Sequence, residues 1–302
     1  HIRHSAGESS ASETGGEPTR QDMEFVRTWH AGERVVYLPG SSLKGVLRSH
    51  CERIARTVGE DKGLACNPVV SGKSCVDLHE LEQKHAGPHV SRHSCFICQM
   101  FGNTVLAGRV RTADAYPVDA DAIRTEERNG VAIDRVFGSV AVGPFQMEVL
   151  TEGAFKTEIA LHNFTIAQLG LLALALRDLK LGRVGVGFGK SRGLGHVRAH
   201  FDKLTVRYLR EPEDVGRLFG VARLLGAEDA EAYGYVRQNG AAFGYTDVAQ
   251  DASGPLPDAM TLAMDDWGEW ALEVADEAQI MDVWRACMPA WRAAVDLSEG
   301  GT

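Results

Sequence analysis

The stretch LPGSSLKGVLRSHCE, at residues 38–52, decides how the first half of the chain folds. Its PGSS tetrapeptide is typical of a turn, because Pro presets φ while Gly and Ser favour turn conformations. Apolar residues then recur at helical spacing from Leu43 to Ile54, which predicts a helix with Ser41 or Ser42 as its N-cap. A turn that runs straight into a helix leaves backbone N–H groups free at the helix start, where anions bind.

Two basic side chains follow the turn. Lys44 and Arg48 are four residues apart, so both lie on one face of the predicted helix, close to its start. The segment therefore combines hydroxyl groups with two positive charges at one end of a helix.

Strands and helices alternate along the rest of the first 210 residues. Thr165 and Gln168 form a capping box ahead of a strongly apolar helix, which Gly182 ends. In the strand candidates apolar residues alternate with polar ones, which favours an α+β fold with a mainly antiparallel sheet. The predicted strands are Arg34–Leu38, Arg109–Arg111, Val142–Leu150, Phe155–Leu161 and Val197–Tyr208.

The charge changes sign along the chain. Residues 211–302 hold eighteen Asp and Glu against five Arg, so their net charge is −13. Because the whole chain has a net charge of −9, residues 1–210 have a net charge of +4. A basic stretch is the usual electrostatic footprint of polyanion binding, whereas charges on unrelated solvated faces are the alternative. The acidic part is predicted to hold a helix at Val215–Leu225, a hairpin at Leu262–Val274 and a helix at Ile280–Val295.

The overall composition is that of a globular protein. Of the 302 residues, 44% are hydrophobic and 24% charged. No apolar run approaches the roughly 18 residues that span a membrane, and no secretory segment stands out, so we expect a cytoplasmic protein. The sequence begins at His1 without an initiator Met, which indicates a truncated or processed start. Cys51 and Cys287 lie in helical patterns and are expected in the core.

The other four cysteines are spaced as metal ligands. Cys66, Cys75, Cys95 and Cys98 form the pattern Cys-x8-Cys-x19-Cys-x2-Cys. A CxxC knuckle places two thiolates on one side of a tetrahedral ion and two further ligands close the site, so we expect a structural zinc ion, with free thiols as the alternative. Four intervening histidines offer a substitute for Cys66 or Cys75. They are His79, His85, His89 and His93.

A glycine-rich loop, GRVGVGFGKSRGLG, occupies residues 182–195. It does not fit a Walker loop, which needs glycine where Val184 stands, nor a dinucleotide fingerprint, which needs glycine at Lys190. What remains is a flexible backbone bearing Lys190 and Arg192, able to approach a phosphate closely. The alternative is that the glycines serve turn geometry alone.

Four stretches together carry a family resemblance. They are LPGSSLKGVLRSHCE at 38–52, CFICQMFG with RVRTADAYP at 95–117, GVAIDRVFGSV with MEVLTEGAFKTEI at 130–159, and GVGFGKSRGLGHV at 185–197. In this order they resemble the RAMP superfamily of CRISPR effector proteins, and most of all the backbone (Csm/Cmr-type) subunit of type III complexes. The resemblance covers about residues 1–208.

The resemblance implies a fold and a domain organisation. It predicts a ferredoxin-like, RNA-recognition-like RAMP core over residues 1–208, with a zinc-binding insertion at 58–100 and a thumb-like loop at 125–142. Residues 209–302 form an acidic helical or α+β appendage, which either docks a neighbouring subunit or is the remnant of a fusion.

The resemblance also implies partners. In the family, subunits stack along a guide RNA that pairs with a complementary target RNA, so we expect both RNAs, other CRISPR effector subunits and neighbouring copies of this chain as partners. The protein would read backbone and shape, while base pairing reads sequence. The residues assigned to the RNA lie at the helix start, in the thumb-like loop and in the glycine-rich loop. They are Ser41, Ser42, Lys44, Arg48, Arg135, Phe137, Lys190 and Arg192.

The family's backbone subunit cuts target RNA with an aspartate in the loop before the PGSS segment. That loop reads QDMEFVRT here, and Asp22 is the best match, with Glu24 or Glu17 as alternatives and Arg27 nearby to offset phosphate charge. A lone carboxylate helps to hold Mg²⁺ or another divalent ion, or orients the 2′-hydroxyl for attack on the adjacent phosphate.

Two other hypotheses stay open on the sequence. The protein is a purely structural RNA-binding backbone subunit in which Asp22 is inert, or it is a zinc-stabilised interaction module outside CRISPR whose basic loop binds some other anion.

Overall fold

The structure of the protein is a computed structural model. It describes residues 2–4, 23–58, 64–77, 90–91, 94–225, 235–236, 242–243, 251–257 and 260–296.

These residues form a mixed α+β architecture, as predicted. The helices are α1 (Gly40–Val58), α2 (Phe96–Phe101), α3 (Ile166–Lys180), α4 (Val221–Leu225), α5 (Glu277–Ala286) and α6 (Met288–Asp296). The strands are β1 (Ile2–His4), β2 (Met23–Phe25), β3 (Arg27–His30), β4 (Glu33–Val36), β5 (Val110–Thr112), β6 (Tyr116–Pro117), β7 (Arg124–Ile133), β8 (Val140–Glu152), β9 (Phe155–Lys156), β10 (Ile159–Leu161), β11 (Leu204–Tyr208), β12 (Tyr235–Val236), β13 (Ala242–Phe243), β14 (Ala263–Met264) and β15 (Trp270–Val274). The chain divides into two compact units. They comprise residues 1–43, 112–159 and 187–195, and residues 44–111, 160–186 and 196–302.

The first unit is built on a four-stranded sheet in the order β1-β2-β8-β7. Its pairings are antiparallel except at Met23↔Met147, where β2 and β8 run parallel. Strands β7 and β8 form a long hairpin, and two smaller antiparallel pairs, β3–β4 and β6–β9, belong to the same unit. The mainly antiparallel character expected from the sequence is confirmed.

Strand β7, with the sequence RTEERNGVAI, is not among the strands predicted from the sequence, and the resemblance implies a thumb-like loop over most of it. The side chains of β7 are almost all exposed on both faces, so no alternation of apolar and polar residues marks the strand. Backbone pairing with β8, from Arg124↔Glu152 to Ile133↔Val140, makes it a strand instead.

The second unit has helix α3 at its core. Ile166 and Leu171 are completely buried, and α3 packs against α5 and α6. At Gly170 a Cβ would lie 3.0 Å from both Cys287 O and Trp291 Cβ, so the glycine allows this close approach. The capping box of Thr165 and Gln168 is confirmed, and Gly182, at φ +69°, follows the helix end as expected.

The chain after residue 196 departs from prediction in three places. Strand β11 begins only at Leu204, because its partner β15 supplies five paired residues, from Val274 to Trp270. The helix predicted from Val215 begins at Val221, since the backbone before it bonds residues 251–262 instead. The last helix is split into α5 and α6, because Pro289 lacks an N–H and its ring disfavours an unbroken helix.

The segment 155–161 forms two short strands where one was predicted. Strand β9 pairs with β6, whereas β10 pairs with β5. Between them Thr157 Oγ1 donates to Ala113 O over 2.7 Å, and Ala113 N–H donates to Glu158 O over 2.9 Å. The break therefore coincides with a change of partner strand.

Two other expectations agree with the structure, namely the hairpin within 262–274 and the burial of Cys51 and Cys287. The hairpin within 262–274 is formed by β14 and β15. Cys51 and Cys287 are fully buried, and burial raises the pKa of each thiol to about 12. Among the described residues, no helix has the length and apolar character to cross a membrane.

Candidate nucleic-acid interface and metal centre

Helix α1 begins at Gly40, so Ser41 and Ser42 lie in its first turn and the prediction that one of them is the N-cap is wrong. The reason is tertiary: Asp114 Oδ1 accepts a hydrogen bond of 2.7 Å from Gly40 N–H, and Thr112 Oγ1 donates one of 2.6 Å to Gly40 O. A Cβ at Gly40 would lie 2.3 Å from Thr112 O, so only glycine fits. The Asp114 carboxylate therefore accepts the hydrogen bond of the first backbone N–H of α1.

Lys44 lies in a cluster of positive charges. Burial, and then the charges of Arg48 and Arg111, lower the pKa of Lys44. Its Nζ also lies 2.9 Å from the position that a Cβ on Gly108 would take. Among the described residues no carboxylate pairs with Lys44 or Arg111. A cation crowded by cations is stabilised when an anion binds beside it.

Arg48, by contrast, is fully engaged within the protein. Its Nε donates to Glu52 Oε1 over 3.0 Å, its Nη1 to Gly102 O over 2.8 Å and its Nη2 to Cys98 Sγ over 3.6 Å. The sequence grouped Arg48 with Lys44 by spacing alone. The structure adds that the Arg48 guanidinium lies against the cysteine cluster, while its role toward RNA stays a prediction.

The tip of the β7–β8 hairpin is ordered by one carboxylate. Asp134 Oδ1 accepts hydrogen bonds from Val136 N–H and Phe137 N–H, at 2.7 and 2.8 Å. These two bonds, that of Phe137 first, lower the pKa of Asp134. Val136 and Phe137 are 81% and 84% exposed, and Arg135 is exposed between them and Asp134. Two predicted RNA contacts, Arg135 and Phe137, are thus displayed together on a folded tip.

The glycine-rich loop presents Lys190 and Arg192 on a single 3₁₀ turn. Gly189 and Gly193 flank the turn at φ +70° and +79°, a conformation that favours glycine. The Arg192 guanidinium lies 4.7 Å from the ring centroid of Phe188, a cation–π distance. Both basic side chains are exposed.

The predicted catalytic residue lies at the edge of what is described. Asp22 and its alternative Glu17 fall outside the described residues, whereas Glu24 lies in β2. Arg27 forms a bidentate ion pair with the buried Glu148, so its charge is already compensated. Burial alone would raise the pKa of Glu148, but the hydrogen bonds from Arg27 and from Phe25 N–H lower it overall.

The four predicted cysteine ligands come together in the second unit. The Sγ atoms of Cys66, Cys75, Cys95 and Cys98 all lie within 4.8 Å of one another, and none forms a disulfide. The Sγ atoms of Cys66 and Cys98 are 3.7 Å apart. Zinc–sulfur bonds of about 2.3 Å in a tetrahedron put the sulfur atoms about 3.8 Å apart, so this spacing suits the ion.

Backbone groups support thiolates in this cluster. Cys66 N–H and Cys98 N–H both donate to Cys95 Sγ, at 3.3 and 3.4 Å, and Cys95 N–H donates to Cys75 Sγ at 3.1 Å. Cys95 is also the N-cap of α2, which carries Cys98 one turn later. The donor set therefore fits a metal such as zinc. The four alternative histidine ligands lie outside the described residues.

Two residues near the start of α1 were not predicted from the sequence as part of the site. Arg111 joins the Lys44 cluster, and Asp114 caps α1. Both belong to the RVRTADAYP stretch at 109–117, which carried part of the resemblance but was given no role of its own.

Exposed basic side chains, such as those of Lys190 and Arg192, are an electrostatic feature of proteins that bind nucleic acid. A family model of the RAMP superfamily matches residues 19–198, well over half of the chain. The chain therefore belongs to the RAMP superfamily, and with it to the CRISPR-associated proteins that bind RNA. No curated protein matches the chain.

Proposed function

We propose that the protein is the guide-RNA-binding backbone subunit of a cytoplasmic type III CRISPR effector complex, and that it cleaves target RNA complementary to the guide. Its partners are then the two RNAs, other effector subunits and further copies of itself. The observation that carries the proposal is the uncompensated cationic cluster of Lys44 and Arg111 in a member of the RAMP superfamily.

Phosphate contacts follow from the charge distribution. Lys44 and Arg111 have no carboxylate partner among the described residues, and Lys190 and Arg192 stand exposed on their turn. Phosphate contacts position a nucleic acid without reading its sequence, which suits a subunit that leaves recognition to base pairing. Ser41 and Ser42, in the first turn of α1, supply hydroxyl groups that could also donate hydrogen bonds to phosphate.

The hairpin tip suits contact with bases. Phe137 is a largely exposed aromatic ring on a tip that Asp134 holds in shape, and Arg135 beside it supplies positive charge. An apolar wedge that unstacks bases needs such a preformed projection, because ordering it on binding would cost free energy. We assign this hairpin as the thumb-like element and infer a ferredoxin-like core around the four-stranded sheet.

Cleavage is proposed to depend on Asp22, which directly precedes the buried Met23 of β2. The 2′-oxygen of the target attacks the adjacent phosphorus while its hydroxyl proton passes to water. The bond from phosphorus to the 5′-oxygen of the next nucleotide breaks, and that oxygen takes a proton from water, so the products are a 2′,3′-cyclic phosphate and a 5′-hydroxyl end. Asp22 would orient that hydroxyl or hold Mg²⁺, which neutralises charge on the phosphate. Arg27 is paired with Glu148, so we give it no role in this step.

The experiment is cleavage of guide-complementary RNA by the assembled complex carrying Asp22→Ala, with Mg²⁺ and then with EDTA. Asp119→Ala, at an exposed carboxylate outside the residues assigned to RNA, is the matched control. We expect a rate loss of ~100-fold, equivalent to ~3 kcal/mol, with target affinity within twofold. Full activity in Asp22→Ala would move the role to Glu24 or Glu17.

Two further outcomes test the broader proposal. A wild-type complex that binds target RNA and does not cut it would establish the structural backbone subunit instead. A purified protein that carries no guide RNA, and binds none, would favour the zinc-stabilised interaction module.

A further inference from the structure

Three aromatic rings are stacked at the surface of the first unit. The ring centroids of His30 and Tyr116 are 3.8 Å apart and their planes differ by 9°. Tyr116 also stacks with Tyr37, at 5.9 Å and 19°. His30 is exposed, so this ring stack ends at solvent.

The backbone holds His30 in place. His30 pairs with Glu33 at the end of the β3–β4 hairpin, directly before a two-residue turn. That turn consists of Ala31 and Gly32, at φ +51° and +89°, which is the tight hairpin turn with two left-handed residues. The imidazole therefore projects from a short, regular hairpin.

The two tyrosines are held from adjoining segments. Leu38 N–H donates to Ala115 O over 2.9 Å and Ala115 N–H donates to Leu38 O over 2.8 Å, which places Tyr37 beside Tyr116. Tyr116 is also paired with Lys156 across β6 and β9. Directly paired residues of antiparallel strands project from the same face, so the exposed Lys156 lies beside the ring stack.

This arrangement matches what a single-stranded nucleic acid needs. A flat exposed ring accepts any base, because every base has a π face, and a neighbouring cation offsets the phosphate that follows. Lys156, paired with Tyr116 across β6 and β9, is the basic side chain that the strand register places beside these rings. The three rings are already ordered, so binding would not have to order them.

We propose that the face of His30 turned away from Tyr116 is a stacking platform for one unpaired base of an RNA strand, with Lys156 beside the adjacent phosphate. The proposal rests on the proposed RNA binding and adds a base subsite separate from the hairpin tip that carries Phe137. The proposed stacking depends neither on the base sequence of the RNA nor on whether the protein cleaves RNA.

The experiment measures affinity for a single-stranded oligouridylate and for the same RNA with one abasic position, moved along the strand. We expect His30→Ala to weaken binding of the intact RNA about tenfold, which corresponds to ~1.4 kcal/mol. His30→Phe keeps a ring and is expected to stay within threefold of the wild type. His162→Ala, at an exposed histidine outside every proposed site, is the control.

The abasic series tells base stacking from other effects. In the wild type one abasic position should lower affinity most, and that penalty should disappear in His30→Ala and persist in His30→Phe. An equal penalty in all three proteins would overturn the platform, as would an unchanged affinity in His30→Ala. A thermal unfolding midpoint measured for each variant shows whether a loss of binding is a loss of fold.

If the proposed RNA-binding function is itself wrong, the affinity measurements give a different pattern. In that case the wild type itself shows no affinity for oligouridylate, and Lys44→Ala changes nothing. If the wild type binds and Lys44→Ala weakens binding while His30→Ala has no effect, the platform is refuted and the RNA-binding function stands.

Discussion

Arg48 on α1 directs its Nη2 at the Sγ of Cys98, 3.6 Å away, and so joins the basic helix to the cysteine cluster. Its Nη1 donates to Gly102 O, directly after α2, the helix that carries Cys98. A positive charge beside metal-bound thiolates stabilises their negative charge, and such outer partners also orient the ligands.

We predict that Arg48→Ala weakens metal binding. Loss of the guanidinium leaves the Cys98 thiolate without its charged partner, and we expect zinc to be lost to a competing chelator about tenfold more readily. Arg53→Ala, at an exposed arginine on the same helix, is the matched control. Equal zinc retention in the two variants would contradict the coupling.

The cluster itself is predicted to hold one zinc ion per chain. Cys98→Ser should abolish stoichiometric zinc, measured by elemental analysis after purification without added metal. It should also lower the unfolding temperature, because metal binding contributes to folding. Cys51→Ala, at a buried cysteine outside the cluster, should keep its zinc even if its stability falls. An empty wild-type site would refute the prediction.

Lys44→Ala is predicted to weaken the binding of unrelated RNA sequences equally. One lost phosphate contact lowers the slope of log affinity against log salt concentration by about 0.7 for single strands. Lys203 is paired with Glu273 at 2.8 Å and has its charge offset, so Lys203→Ala should leave the slope unchanged. A loss confined to one RNA sequence would point to base contacts at Lys44 instead.

Asp134 is predicted to act through the shape of the hairpin tip. Asp134→Ala removes the acceptor for Val136 N–H and Phe137 N–H, so the tip loses its fixed form and Phe137 is no longer preorganised. We expect RNA affinity to fall by severalfold, and Phe137→Ala to add little on top of it. Additive losses in the double variant would show that the two residues act independently.

Asp251 is predicted to make stability depend on pH. Burial raises its pKa from 3.8 to about 6, even though its carboxylate accepts from Ile166 N–H and Ala222 N–H at 2.8 and 2.9 Å. Because the folded pKa is above the unfolded one, the native state binds more protons between about pH 4 and 6. The free energy of unfolding should therefore fall across that window as pH rises, by at most ~3 kcal/mol from this group.

The measurement for Asp251 is urea unfolding of the wild type and Asp251→Asn from pH 4 to 7. Asparagine does not titrate, so the advantage of the wild type over the variant should shrink as pH rises and level off above 6. An advantage that grows with pH would mean that the folded pKa of Asp251 is lowered.

Features that depend on residues close along the chain could be predicted from the sequence without the tertiary structure. The turn and helix after Leu38, the capping box at Thr165 and the CxxC knuckle at Cys95 were all predicted from spacing. Caps, helical periodicity and paired thiolates act within a few residues, so their signals are complete in a short stretch of sequence. The four stretches that carry the family resemblance, taken in their order along the chain, were enough to predict the RAMP superfamily.

Tertiary structure alone decided where elements begin and what each side chain contacts. Helix α1 begins at Gly40 because Asp114, 74 residues later, caps it. Strand β7 exists because β8 pairs with an exposed, charged segment, and Arg48 lies against Cys98, 50 residues away. These choices depend on hydrogen bonds and charges between segments distant in sequence, which local spacing does not encode.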